Sequence, residues 1–170
     1  MSQLAIADIN AMDRVTFVAQ FGSVYEHSPW IAEAAWDARP FADRTALESA
    51  MQDVIRHAGR ERQLELIRSH PRLGTRRTLT SYSQSEQQGA GITGASDADR
   101  DELRRLNSAY EAKFGLPFIL AVRNANLRTI LDSCRARIEH DAGLEFDESL
   151  RQVGTIAHFR LSDMVEEGNT

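Results

Sequence analysis

Apolar residues recur at helical spacing along nearly the whole chain. Leu47, Met51, Val54 and Ile55 form one stripe, and Thr45-Ala46-Leu47-Glu48 has the form of a capping box at its start. Leu64 and Ile67 mark a second helix that runs into His70. Leu103, Leu106, Tyr110 and Phe114 make a third, with Ser96 as cap candidate and Gly115 as its stop. Leu127, Ile130, Leu131, Cys134 and Ile138 make a fourth stripe, and Leu150, Val153, Ile156, Ala157, Leu161 and Met164 a fifth. Shorter helices are expected at residues 13–20 and 28–37. Only Pro117-Phe118-Ile119-Leu120-Ala121-Val122 looks strand-like. One apolar run makes no sheet, so it is either a buried extended segment or part of a helix. The pattern predicts an all-α fold, a single-domain bundle of about seven or eight helices over residues 1–170.

Residues 74–96 interrupt this pattern with Gly, Ser, Thr and Gln. A loop-rich stretch of that length inside a compact domain is more often functional than decorative. Composition adds exclusions. With 170 residues, 42% hydrophobic and 26% charged, the chain has ordinary globular proportions for one domain. A net charge of −5 argues against a nucleic-acid binder. No apolar run reaches the length of a membrane span, and the start Met1-Ser2-Gln3-Leu4-Ala5 lacks the form of a signal peptide. The end, Glu167-Gly168-Asn169-Thr170, is not a peroxisomal tripeptide. The single cysteine, Cys134, allows no intrachain disulfide, and a soluble cytoplasmic protein is expected.

Three places carry candidate chemistry. In Arg68-Ser69-His70-Pro71-Arg72-Leu73-Gly74, proline disfavours the α-conformation at the preceding residue, so His70 should be where the chain leaves its helix. Such an imidazole either caps the helix or, with a carboxylate at hand, handles protons. The carboxylate is Glu86, sixteen residues on, in Ser83-Gln84-Ser85-Glu86-Gln87. That motif is itself a capping box, but a helix start also offers N–H groups to an anion. Gln87 adds a donor and an acceptor suited to an amide- or urea-like edge. Arg160 falls on the apolar stripe of the last helix, four residues after Ile156 and four before Met164. A buried arginine requires an anion, either an internal carboxylate or an anionic ligand.

The other histidines offer less. His57 and His140 lie near helix ends among charged residues, where a solvated face is expected, and His27 precedes a turn. His158 neighbours Arg160 in sequence but points elsewhere on the helix. No pair has metal-ligand spacing, there is no P-loop or nucleophile elbow, and Cys134 sits on an apolar stripe as a core residue.

His70-Pro71-x-Leu73-Gly74, Ser83-x-x-Glu86-Gln87-x-x-Ala90-Gly91 and Phe114-Gly115-x-Pro117-Phe118-Ile119, in that order, resemble the OHCU decarboxylases, where OHCU is 2-oxo-4-hydroxy-4-carboxy-5-ureidoimidazoline. The resemblance extends from Phe21-Gly22 and Pro29-Trp30 to Arg160-Leu161. It implies an all-helical homodimer that converts OHCU, an intermediate of urate breakdown, to (S)-allantoin and carbon dioxide without a cofactor or metal. The family's catalytic histidine falls on His70 and its acidic partner on Glu86. Substrate contacts fall on Pro71, Ser83, Gln87 and Arg160, and on Phe118, Ile119, Leu120, Ala121 and Val122 largely through main-chain groups. Three departures stand out: Arg72 where Asp is common, Ile92 where Leu is common and Leu116 where Phe is common.

Loss of carbon dioxide normally needs an electron sink from a cofactor. OHCU carries its own, a C=N bond beside the carbon that bears the carboxylate. The rival from another class is a non-catalytic helical module that binds an anion or a protein. There Ser83 and Glu86 only cap a helix, and Arg160 only pairs internally. A hydrolase acting on a neighbouring ureide lacks its nucleophile and metal signatures.

Overall fold

The computed structural model describes residues 2–74, 81–92 and 94–168. Among these, nine α-helices and one 3-10 turn account for the regular structure, and no sheet forms. The helices are α1 (Ile6–Ala11), α2 (Arg14–Phe21), α3 (Trp30–Ala35), α4 (Arg44–His57), α5 (Arg60–Arg68), α6 (Ser81–Gly89), α7 (Asp97–Phe114), α8 (Leu127–Ile138) and α9 (Ala142–Met164). The all-α expectation holds, with more helices than the apolar stripes suggest. The additional ones are short: α1 has one buried residue, Ile9, and α6 has glutamines and serines where a stripe would be.

Local chemistry sets most boundaries. Asp43, not Thr45, caps α4, its carboxylate accepting the Ala46 N–H at 2.7 Å. The acceptor therefore lies two residues ahead of the expected capping box. Ser96 caps α7 through the Asp99 N–H, and Gly115 ends that helix in the left-handed conformation at φ 66°. Asn126 and Thr129 form a reciprocal box at the start of α8.

Contacts divide the chain into two compact units, residues 1–69 with 154–170 and residues 70–153. In the first, Phe17 stacks near Phe21 and Phe41, and Ile31, Leu47, Met51, Leu66, Ile67 and Leu161 are fully buried. Leu4 closes this unit by exchanging backbone hydrogen bonds with Met164 and Glu166. In the second, Tyr110 stands edge-on to Phe118 at 5.3 Å, and Leu103, Leu106, Ile130 and Cys134 are buried. Among the described residues no helix is long and apolar enough to cross a membrane.

Candidate functional site

His70 opens the second unit. α5 ends at Arg68, and Ser69 closes it by donating its N–H to the Glu65 and Ile67 carbonyls. With Pro71 next, the chain leaves its helix at His70, as expected. His70 is buried, and the turn that follows it is fastened at three points. Asn107 of α7 donates to the Leu73 carbonyl at 2.9 Å. The Gly74 N–H donates to Oε1 of Gln87 at 3.0 Å. Arg72 forks onto the carboxylate of Glu111, also on α7, so its departure from the family pattern brings a counter-charge with it. Gly74 has φ +75°, and a Cβ there would lie 2.9 Å from Cδ2 of Leu103. The left-handed backbone selects glycine, and a Cβ would also require the Leu103 side chain to shift.

α6 supplies the acidic candidate. Ser83, Gln87 and Ala90 are buried and Glu86 is half-buried, while Gln84, Ser85, Gln88 and Gly89 are exposed. The spacing places the first four on one face. A helix ordinarily turns apolar side chains inward. This one turns a hydroxyl, a carboxylate and a carboxamide inward, which disfavours the reading of Ser83 and Glu86 as a mere cap. Ser81 and Tyr82 are already helical, so the capping box expected at Ser83 lies inside α6. Residues 75–80 and 93 of the Gly/Ser/Thr/Gln-rich stretch lie outside the described residues.

Phe118 to Val122 is neither helix nor strand. Gly115 has already turned the chain, and Pro117 has no N–H to offer a ladder. Phe118, Ile119 and Val122 are buried, which leaves main-chain groups in need of partners. Side chains supply them. Arg137 Nη1 donates to the Ile119 carbonyl at 2.5 Å, and Gln152 Oε1 accepts the Ala121 N–H at 2.9 Å. Arg137 is itself held by Glu145, its Nη2 donating to Oε2 at 2.7 Å. Tyr110 donates its hydroxyl to the same oxygen at 2.5 Å, and Nδ1 of His140 lies 2.8 Å from Oε1.

Burial works against ionisation of Glu145, but the hydrogen bonds from Arg137, Tyr110 and His140 outweigh it and hold its carboxyl below the ordinary value. Burial first, and the Glu145 carboxylate second, push the Tyr110 phenol up to about 12. His140, itself half-exposed near its helix end as expected, thus also reaches a buried carboxylate. Cys134 is fully buried, and burial pushes its thiol up to about 11, in keeping with a core role.

Arg160 lies in the first unit at 1% exposure. Its Nη2 is 3.3 Å from Oε1 of the buried Glu26, and its Nη1 donates to the Val24 carbonyl at 3.1 Å. Burial on the apolar stripe was legible from spacing, and the internal ion pair offered as its alternative is present. Of the remaining histidines, exposed His57 contacts the Asp53 carbonyl and exposed His158 pairs with Glu48. His27 adopts a left-handed backbone at φ 50°, at the turn it was expected to mark.

Sequence reasoning passed over Arg137, Glu145 and Gln152. The signal was available, because Arg137 continues the Ile130–Cys134 stripe at i+7 and Gln152 precedes Ile156 by four. Arg137 and Gln152 are thus polar residues on apolar stripes, as Arg160 is.

The sequence profile of the OHCU decarboxylase family matches residues 10–162. A 2-oxo-4-hydroxy-4-carboxy-5-ureidoimidazoline decarboxylase of Haloferax volcanii is 40% identical over 163 residues, covering 96% of this chain and 97% of that one. The uric acid degradation bifunctional protein PucL of Bacillus subtilis is 41% identical over 164 residues, 96% of this chain but 33% of the longer protein. The crystal structure of (S)-allantoin synthase superposes with a TM-score of 0.78 at 28% identity, over 96% of this chain and 54% of that one.

Proposed function

The chain belongs to the OHCU decarboxylase family, and from that membership we propose that it is a carboxy-lyase converting OHCU to (S)-allantoin and carbon dioxide in urate breakdown, without a cofactor. The observation that carries this reading is the inward polar face of α6, tied through Gln87 to the turn after His70. That face carries a hydroxyl, a carboxylate and a carboxamide, groups suited to a small polar ligand, and the family supplies the ligand's identity. The profile runs through both units, which supports treating residues 1–170 as one catalytic domain.

In this reading His70 and Glu86 are the catalytic pair, polarising the 4-hydroxyl and moving protons. The bond from ring carbon to carboxylate breaks, carbon dioxide leaves, and the electron pair passes into the adjacent C=N. The nitrogen takes up a proton. The resulting enol gives up its hydroxyl proton as the ring carbon bearing the ureido group gains one. Delivery to one face only yields a single enantiomer. Ser83 and the start of α6 favour the substrate's negative charge. Gln87, its carbonyl engaged by Gly74, offers its NH2 to the ureido or ring carbonyl. Pro71 and the segment from Phe118 to Val122 line the site, with Leu120 between the two main-chain groups that Arg137 and Gln152 hold. Arg160 is assigned to the substrate's anion on the family resemblance and on its own burial, with Glu26 keeping its guanidinium in place. A homodimer working in the cytoplasm completes the proposal.

The test generates OHCU in situ from urate and follows optical activity. Wild type should form (S)-allantoin faster than the spontaneous decay, and His70→Ala and Glu86→Ala should each lose on the order of 10²–10⁴ in rate. Wild type no faster than the decay overturns the reaction. Undiminished (S) product from both variants overturns the assigned roles. Activity lost to a chelator and restored by a metal overturns the cofactor-free reading.

A further inference from the structure

We propose that Arg137 and Gln152 are positioning residues for the decarboxylation, holding the main chain of Ile119 and Ala121 from one side so that Leu120 presents its N–H and C=O to substrate on the other. The proposal rests on the reading given under Proposed function, in which this segment contacts OHCU through its backbone.

The geometry is specific. The Arg137 guanidinium touches the segment twice, through Nη1 to the Ile119 carbonyl at 2.5 Å and through its plane, 4.6 Å from the centroid of the Phe118 ring. Its other nitrogens are committed to Glu145 at 2.7–3.2 Å. A planar fork fixed on one edge by a carboxylate aims its remaining N–H in one direction. Gln152 is fixed in the same manner. Its Nε2 donates to Glu148 at 2.8 Å, which turns Oε1 towards the Ala121 N–H. In an extended chain alternate residues present N–H and C=O on the same side, and the residue between them faces the opposite way. Two side chains thus take the place of a neighbouring strand along one edge. The opposite edge carries a donor and an acceptor one residue wide, matched to a lactam or ureido group.

A purely structural role explains these residues poorly. A buried ion pair is often no better for stability than apolar side chains of similar volume. What an apolar replacement cannot do is aim the Ile119 carbonyl. The network also reaches the half-exposed His140 through Glu145, so it is built of several aligned donors around one carboxylate and not of a single pair.

The experiment measures steady-state kinetics on OHCU, with melting temperature, for wild type, Arg137→Met, Arg137→Lys and Gln152→Met. Uniform loss of main-chain contacts to substrate appears in KM. Arg137→Met and Gln152→Met should raise KM at least tenfold with kcat within threefold, and Arg137→Lys should recover part of that rise. Folded variants with wild-type KM overturn the proposal. If Arg137→Met fails to fold, Gln152→Met decides, because it removes no charge. Wild type without OHCU turnover is a separate failure, that of the functional reading itself.

Discussion

Gln87 accepts the backbone N–H of Gly74 at 3.0 Å, so the residue expected to read the substrate also fastens the turn that follows His70. One carboxamide thereby couples α6 to the His70–Gly74 turn. Replacing it with leucine removes the acceptor and leaves a partly buried N–H unanswered. Gln87→Leu should lose about 1–3 kcal/mol of stability in urea titrations, together with activity. Unchanged stability would show that the turn holds without it.

Gly74 tests the same turn from its backbone. Its left-handed φ and the 2.9 Å approach of a Cβ to Leu103 predict that Gly74→Ala costs about 1–2 kcal/mol. Gly91 has the same φ of +75° but open space around a Cβ, so Gly91→Ala should cost less. Equal losses for the two would assign the whole effect to backbone strain.

Glu26 and Arg160 are both almost fully buried. Glu26→Ala leaves a guanidinium in the interior and should destabilise by about 3 kcal/mol or more. A melting temperature equal to that of wild type would contradict this.

Acid sensitivity follows from two carboxylates. The Arg151 guanidinium beside Glu148 holds its carboxyl at about 2, against an ordinary 4.5, and Glu145 is also held low. The unfolded chain binds these protons at higher pH than the folded one. Their contribution is complete above about 4.5 and is lost as pH falls towards 2. Urea midpoints should therefore fall across that window, and Glu148→Gln should flatten the fall. Parallel slopes would remove Glu148 from the account.

Cys134, with its thiol raised to about 11, should resist a disulfide reagent at pH 8 in the native protein and react once denaturant is added. Rapid native reaction would place it at the surface.

α7 was legible because its caps and stripe agree: Ser96, Gly115 and the run from Leu103 to Phe114 all state the same boundaries. α6 was obscured because its buried face is polar, and hydrophobic periodicity is blind to a helix that turns Ser83, Glu86 and Gln87 inward. His70 was legible through a backbone rule, since proline acts on its neighbour irrespective of tertiary context. The ion pair of Arg137 with Glu145 joins the last helices across a loop, and stripe counting reads one helix at a time. The contact of half-exposed His140 was hidden for the same reason: its sequence neighbours are charged, and its partner is a buried carboxylate five residues on.

Among the described residues the segment from Phe118 to Val122 has no strand beside it, and its two main-chain anchors come from different helices. In a sheet, one slip of register moves every contact together. Here each anchor is a separate side chain encoded by a separate codon, so selection or an engineer can retune the path of this main chain one hydrogen bond at a time.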